Sequence, residues 1–184
     1  MSTTAHFSIA EYDRLVRTGG FEGRRLELIH GEIREMSPIG PIHEDIVDLL
    51  TRWSFASTDA SQIRVRVQHS VGVAAFDSAP EPDIVWVKER SYRDGRPGPS
   101  DITLLIEVAD SSLAYDLGEK AELYAASGVS DYWVVDVKSE SVVVHRTPGE
   151  SGYSSVATFG RDAVIATLYD PDLTLDVATL FPAA

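Results

Sequence analysis

The chain of 184 residues contains no cysteine. This absence excludes disulfides, a thiolate nucleophile and a thiolate metal site, so any metal has to be held by carboxylates, histidines or carbonyls. The five histidines are scattered without the spacing of a zinc site. Hard divalent cations, which prefer oxygen ligands, are therefore the natural metal candidates.

The chain also lacks a long apolar run. Residues 1–20 contain no apolar segment typical of a signal peptide, and no later stretch approaches the roughly 20 apolar residues that span a bilayer. We therefore expect a cytoplasmic protein with no membrane partner. The length predicts one domain, comprising an N-terminal helix and hairpin extension (1–37), a core (42–140) and C-terminal strands (141–184).

Positive charge is scarce. The chain has 16 Lys and Arg against 29 Asp and Glu, a net charge of −13, and residues 101–184 hold only 4 basic against 14 acidic residues. Such a surface repels nucleic acid, because nonspecific binding rests on basic side chains that neutralise phosphates. The segment "VKERSYRDGRPGPS" (87–100) is a local basic exception, and its ordinary interpretation is a solvated loop rich in glycine and proline.

The hydrophobic periodicity predicts helices and strands in alternation. A capping-box pattern at Ser8 predicts a short helix that ends near Arg17. Residues 25–29 and 32–36 alternate on both sides of His30-Gly31, which is typical of a β-hairpin. Residues 42–55 predict an amphipathic helix. Its expected core positions are Ile42, Ile46, Leu49, Leu50 and Trp53.

Further strands are predicted at 63–73, 82–87, 102–109, 131–137, 141–146, 154–160 and 174–181, and a second helix at Asp116–Ser127 ends before Gly128. This order predicts an α/β domain with a central sheet and helices packed on it.

Glu107 interrupts the apolar strand "LLIEVADSS" (104–112). Burying a carboxylate is costly unless a cation or several donors meet it. Asp83 opens the preceding strand, and the two carboxylates converge if these strands are neighbours. With a backbone carbonyl, that of Val108, and waters, they would form a Mg²⁺ site. In the ordinary alternative, Asp83 caps a turn and Glu107 pairs with an arginine.

Lys120 occupies the expected inward stripe of the second helix, together with Leu117, Ala121 and Tyr124. The preceding loop could place its ammonium near Glu107. The alternative is a lysine that packs its stem on the core and keeps its charge in water. Two carboxylates and a lysine around a divalent ion suit phosphodiester hydrolysis, in which lysine orients the nucleophile and stabilises the charged transition state.

Taken together, these residues resemble the pattern of a known family. The order Pro82-Asp83, Glu107 in "IEVADSS" and Lys120 in "DLGEKAELYAASGVSDYWVVD" resembles the PD-(D/E)XK nuclease superfamily. Together with "RLELIHGEIREMSPIGPIHEDIVDLL", it resembles the restriction-endonuclease-like family called Uma-two within that superfamily. The resemblance runs from about residue 8 to 140 and implies a restriction-endonuclease-like core, with a central mixed sheet flanked by helices.

The resemblance also implies an activity and its residues. Asp83 and Glu107 would be metal ligands in an endonuclease that uses Mg²⁺, with Mn²⁺ as a substitute, to hydrolyse DNA phosphodiester bonds. Ala109 stands where the superfamily motif has lysine, and Lys120 would take that role from the following helix. Double-strand cleavage needs two active sites, so we expect a homodimer.

Supporting roles are assigned to five further residues, each with an ordinary alternative. Gln68 could orient water or substrate, or be a surface glutamine. His43 and Glu44 open the first core helix, where the superfamily that the chain resembles often has an additional acidic or polar active-site residue, although acids also favour helix N-termini for dipole reasons. Glu27 could join the site or pair with Arg24 or Arg25. Tyr124 could bond a phosphate or be a core residue.

Two other functions remain open. A regulatory or scaffold module could retain the nuclease fold without catalysis, which the net charge of −13 favours. A metal-dependent phosphoesterase could act on small nucleotides, for which an acidic surface is less of a handicap.

Overall fold

The structure is a computed structural model that describes residues 4–182. Its centre is a six-stranded sheet with the order β3-β4-β5-β6-β7-β8. The strands are β1 Leu26–Ile29, β2 Glu32–Glu35, β3 Ile63–Val67, β4 Ile84–Lys88, β5 Ile102–Ala109, β6 Asp131–Asp136, β7 Ser141–Gly149, β8 Gly152–Gly160, β9 Val164–Ala166 and β10 Thr174–Asp176. Because β5 and β6 run parallel and the other neighbours in this sheet run antiparallel, the sheet is mixed, as predicted.

Helices pack on both faces of the central sheet and, in one case, on the β1–β2 hairpin. They are α1 Ile9–Arg17, α2 Pro41–Ser57, α3 Leu113–Tyr115 and α4 Ala121–Ser127, with a π-helical turn, Asp116–Lys120, between α3 and α4. Short 3-10 turns lie at Ala74–Phe76, Pro99–Asp101 and Val177–Leu180. The parallel neighbours β5 and β6 require a crossover connection, which the α3–α4 segment provides. No helix within residues 4–182 is long and apolar enough to cross a membrane.

The alternation of β5 divides the core into two layers. Leu104, Ile106 and Val108 face the layer that contains α2 and the C-terminal segment. Leu105 and Ala109 face the layer that contains α4. Glu107 therefore points to the α4 side, as its position in the alternating strand predicts.

The N-terminal hairpin is packed against the body of the protein. His30 and Gly31 both have positive φ, which fits the tight turn predicted there. Leu28 accepts a backbone hydrogen bond from Ala79, and Ile29 lies in one buried cluster with Leu123 of α4. These contacts bring β1 close to the helix that directly follows Lys120.

Two predicted strands and one predicted core residue need correction. The strand predicted at 63–73 ends at Val67, because Gln68 adopts φ +49 and turns the chain. The strand predicted at 174–181 covers only Thr174–Asp176 before a 3-10 turn. The predicted core residue Ile42 is 62 % exposed, and the next residue, His43, is buried instead.

The second helix also differs from its prediction. Helical structure begins at Leu113 and passes through the π turn Asp116–Lys120 before α4, and Lys120, Ala121 and Tyr124 are buried as predicted. Leu117, predicted to face inward, is 36 % exposed, whereas Asp116 and Lys120 are both buried.

Candidate active site

A cleft of about 380 Å³ opens where β4 begins and β5 ends. The β1–β2 hairpin, the start of α2, residues 110–112 and the π turn form its walls. Its acidic residues are Glu27, Glu35, Glu81, Asp83, Glu107, Asp110 and Asp116, and its basic ones are Arg25, Arg34, His43 and Lys120. The cleft is therefore a strongly charged site with an acidic excess.

Asp83 lies at the start of β4 and both of its oxygens accept hydrogen bonds. Val108 donates its backbone N–H to Oδ2 at 2.8 Å, across the antiparallel pair of β4 and β5. Gln68 donates its side-chain amide to Oδ1 at 3.2 Å, and Nε2 of His43 lies 3.0 Å from the same oxygen. The three neighbours fix the orientation of the carboxylate at the floor of the cleft.

Glu107 and Lys120 form a buried ion pair. Nζ of Lys120 lies 3.0 Å from Oε1 of Glu107, and the Tyr124 hydroxyl donates to the same oxygen at 3.0 Å. The lysine is 4 % exposed and the glutamate 3 %. Oε2 of Glu107 accepts no hydrogen bond from the described residues, and Glu107 lines the cleft. This oxygen is thus available to a ligand.

Two further carboxylates surround the lysine. Glu27 of β1 lies 3.6 Å from Nζ of Lys120, and Asp116 of the π turn lies 3.7 Å from it. The Tyr115 hydroxyl donates to Glu27 at 3.0 Å, which holds that carboxylate in place. One ammonium therefore serves three buried carboxylates.

This imbalance changes the protonation of the group. Burial raises the pKa of Glu107 well above its ordinary value, because the attraction of Lys120 does not offset desolvation and the nearby acids. Burial likewise raises the pKa of Asp116. Burial alone would lower the pKa of Lys120, but Glu107, Glu27 and Asp116 raise it above its ordinary value. The lysine therefore remains charged at neutral pH while the acids compete for protons.

Asp83 has the opposite environment. Burial would raise its pKa, but the contact with His43 and the N–H of Val108 lower it below the ordinary value. Burial would lower the pKa of His43, and the bond to Asp83 raises it. Asp83 is thus a carboxylate that stays ionised next to acids that do not all ionise.

The structure brings most of the predicted site residues together. Asp83, Glu107 and Lys120 line one cleft, and His43 and Gln68 contact Asp83. Glu44, by contrast, is exposed and lies outside the cleft lining, because its place on α2 faces away from the sheet.

The structure rules out one of the alternatives for each of two supporting residues. Glu27 does not pair with Arg24 or Arg25, which instead contact Glu35 and Glu81. Tyr124 is fully buried below Glu107, so its hydroxyl holds that carboxylate and does not face a phosphate in the cleft.

Asp116 and Tyr115 were not among the predicted site residues. Asp116 stands four residues before Lys120, and this spacing was the available signal for an ion pair on one helix face. Tyr115 contacts Glu27, 88 residues away in the chain, and no local pattern could have indicated that contact.

Comparisons with known proteins agree with this fold. No curated protein matches the chain. A crystal structure from Anabaena variabilis, described as "a putative nuclease belonging to DUF820", matches with a TM-score of 0.75 at 16 % identity, covering 95 % of this chain and 97 % of that one. The match shows a shared fold, and the predicted α/β fold is confirmed. The family model Uma2, described as "Putative restriction endonuclease", matches residues 9–178, and the chain therefore belongs to the Uma2 family.

Proposed function

We propose that this protein is a Mg²⁺-dependent endonuclease that hydrolyses DNA phosphodiester bonds. The observation that carries the proposal is the contact of Lys120 with Glu107, 3.0 Å apart, in the cleft that Asp83 also lines. Family membership supports a nuclease. Ala109, which stands where the superfamily motif has lysine, is buried in the apolar core. The ammonium of Lys120, from the following helical segment, reaches Glu107 instead.

The donor set fits a divalent cation with few protein ligands. Within residues 4–182, no three side chains of His, Cys, Asp or Glu form a group that could hold a metal ion by themselves. Mg²⁺ commonly rests on one or two carboxylates and keeps several waters. Asp83 and Glu107 would hold it, together with the carbonyl of Val108. The buried negative charge around Lys120 exceeds the positive charge, and a divalent cation would offset it.

The side chains have separate tasks in this proposal. The bound metal would lower the pKa of a water and offset negative charge on the phosphate. Because its pKa is raised, Lys120 acts as a cation that orients the water and stabilises charge that develops on the phosphate, not as a base. His43 and Gln68 position Asp83, and Tyr124 positions Glu107.

Asp83→Asn tests the proposal. The side chain keeps its shape, and the imidazole of His43 can reverse its donor role by changing tautomer, so we expect a folded protein. The variant should lose Mg²⁺ and Mn²⁺ binding in calorimetry, and cleavage of plasmid DNA should fall by about three orders of magnitude.

The matched control is Asp45→Asn, which changes an exposed aspartate of α2 and should leave binding and cleavage unchanged. If wild-type protein binds no divalent ion and cleaves no nucleic acid, the regulatory or scaffold alternative replaces the enzyme.

A phosphoesterase for small nucleotides remains the second candidate. The net charge of −13 favours it, because a small substrate needs less surface contact than a duplex. Rates on dinucleotides and on long duplexes separate the two, since only the endonuclease prefers the duplex.

The proposal includes a homodimer that forms through β8. This strand lies at the edge of the central sheet and pairs with β7 on one side. Its sequence, "GYSSVATFG", has no charged residue or proline, and residues 154–158 are exposed. Edge strands that remain unpaired are usually protected by charge, proline or a bulge. A second copy of β8 would complete the hydrogen bonds of this edge.

A charge placed on this edge should separate the dimer. Val156 is 55 % exposed in β8, and Val156→Lys would place two like charges close together across a two-fold strand pair. We expect light scattering after size-exclusion chromatography to give a dimer for the wild type and a monomer for this variant. Val164→Lys, at a 57 % exposed valine of β9, should remain dimeric. A monomeric wild type contradicts the dimer.

A further inference from the structure

The basic segment identified in the sequence folds onto the first strand of the sheet. A surface depression is lined by Arg64, Arg66, Ser91, Tyr92 and Arg93. We call it the arginine patch. The guanidinium carbons of Arg64 and Arg66 lie 5.9 Å and 5.6 Å from the centre of the Tyr92 ring, within the range of cation–π attraction. The Tyr92 ring is therefore surrounded by arginine side chains, although the net charge of the whole chain is −13.

Not all of these cations are balanced. Arg64 pairs with Glu89, and the neighbouring Arg90 pairs with Asp101. Within residues 4–182, Arg66 and Arg93 form no ion pair. The patch therefore keeps two positive charges available for an anionic partner.

Arg66 has a further unmet requirement. Its Nε–H is buried and has no hydrogen-bond partner among the described residues. Leaving such a donor unpaired costs free energy that no contact within the described residues recovers. Burial and the neighbouring Arg64 also lower the pKa of Arg66, which indicates that the protein keeps this cation in an unfavourable environment.

The patch lies on the same face of the sheet as the candidate active site. Arg64 and Arg66 pair in register with Val87 and Val85, which belong to the layer that Glu107 faces. Val85 follows Asp83 by two residues, about 7 Å along the strand. Because β3 is an edge strand, a long polyanion could lie along it without crossing the sheet.

We propose that the arginine patch binds the phosphodiester backbone of nucleic acid outside the catalytic cleft, through Arg66 and Arg93. This inference rests on the proposed function, because only a polymeric substrate extends beyond the cleft. Recognition is independent of base sequence, since the arginines contact phosphates. The patch also accounts for how a strongly acidic chain could hold a polyanion.

Binding without cleavage tests the patch. Fluorescence anisotropy of a labelled DNA duplex is measured in EDTA for the wild type, Arg66→Met, which keeps an unbranched apolar stem, and Arg93→Ala. Each variant should bind about tenfold more weakly, and the slope of log affinity against log salt should fall by about 1. Arg52→Met changes an exposed arginine on α2, on the other face of the sheet, and should bind like the wild type.

Hydrolysis of bis(p-nitrophenyl) phosphate with Mn²⁺ separates the two proposals, because this small diester does not reach the patch. Weakened DNA binding with unchanged hydrolysis supports both. Weakened DNA binding without hydrolysis by any protein, wild type included, supports the patch and overturns the enzyme. Unchanged DNA binding in both variants overturns the patch, and so does salt-sensitive self-association in place of DNA binding, which would assign the arginines to a protein partner.

Discussion

Replacing Lys120 with methionine is expected to lower the free energy of unfolding by about 3–5 kcal/mol, because it removes the cation of a buried ionic group. The carboxylates of Glu27, Glu107 and Asp116 all lie within 3.7 Å of the ammonium and would be left with no cation among them. Denaturant unfolding of metal-free protein at neutral pH measures the loss. The rate of DNA cleavage should also fall by about three orders of magnitude.

A second variant separates the loss of stability from the loss of activity. The double variant Lys120→Met/Glu27→Gln removes one of the stranded carboxylates and should recover part of the lost stability without recovering cleavage. Lys138→Met, at an exposed lysine after β6, should change neither property. If Lys120→Met is as stable as the wild type, the three carboxylates do not depend on the ammonium as their counter-ion; if it still cleaves DNA, the proposed catalytic role of Lys120 fails.

The sequence predicted those parts of the fold that follow from local periodicity. The capping box at Ser8, the hairpin turn at His30-Gly31 and the alternation around Glu107 each depend on a few neighbouring residues, and all three are present in the structure. Local patterns were also sufficient to predict on which side of the sheet the Glu107 side chain lies, because side chains in a strand alternate strictly.

The errors occur where backbone geometry departs from regular structure. The prediction of an inward Leu117 assumed an uninterrupted α-helix, but a π turn, Asp116–Lys120, interrupts it and Leu117 is 36 % exposed. A π turn has no sequence signature comparable to a cap or a turn, and it occurs frequently at functional sites. This irregularity explains the misplaced leucine, whereas Asp116 stands at the ordinary i, i+4 spacing from Lys120 and could have been predicted.

Other errors arise from contacts between distant segments. Arg25 was expected to be available to Glu27, yet it contacts Glu81, 56 residues away. Glu27 is free to approach Lys120 because Ile29 packs on Leu123 and draws the hairpin onto α4. Whether Glu27 approaches Arg24, Arg25 or Lys120 depends on tertiary packing. Residues that are close in sequence do not determine that packing.

Glu107→Gln is expected to stabilise the metal-free protein at neutral pH by about 1–3 kcal/mol, because the buried carboxylate is desolvated and its pKa is raised well above the ordinary value. The glutamine keeps the size of the side chain and removes one negative charge from a buried group with an acidic excess. It should also abolish Mg²⁺ and Mn²⁺ binding, because a neutral amide is a weaker ligand for a hard cation. Stability and function are then opposed at this residue.

The raised pKa of Glu107 determines how the stability difference between the wild type and Glu107→Gln changes with pH. The pKa of Glu107 is raised in the folded state, so between its unfolded value, about 4.3, and its folded value, the native protein holds a proton that the unfolded chain has lost. Stability from this group therefore falls as pH rises through that window. The wild type should lose stability relative to Glu107→Gln from about pH 4.3 upward, and the two should converge below it. Thermal unfolding across this range measures the difference.

The control is Glu122→Gln, at an exposed glutamate of α4, whose stability should follow the wild type at every pH. Adding Mg²⁺ or Mn²⁺ should raise the melting temperature of the wild type, since ligand binding to the native state stabilises it, and should leave Glu107→Gln unchanged. If the variant is more stable but the wild type does not respond to either ion, Glu107 is a buried charge without a metal. If the variant is less stable, the contacts of Glu107 with Lys120 and Tyr124 stabilise the fold by more than its buried charge destabilises it. The excess of buried negative charge that supports a cation site then does not exist.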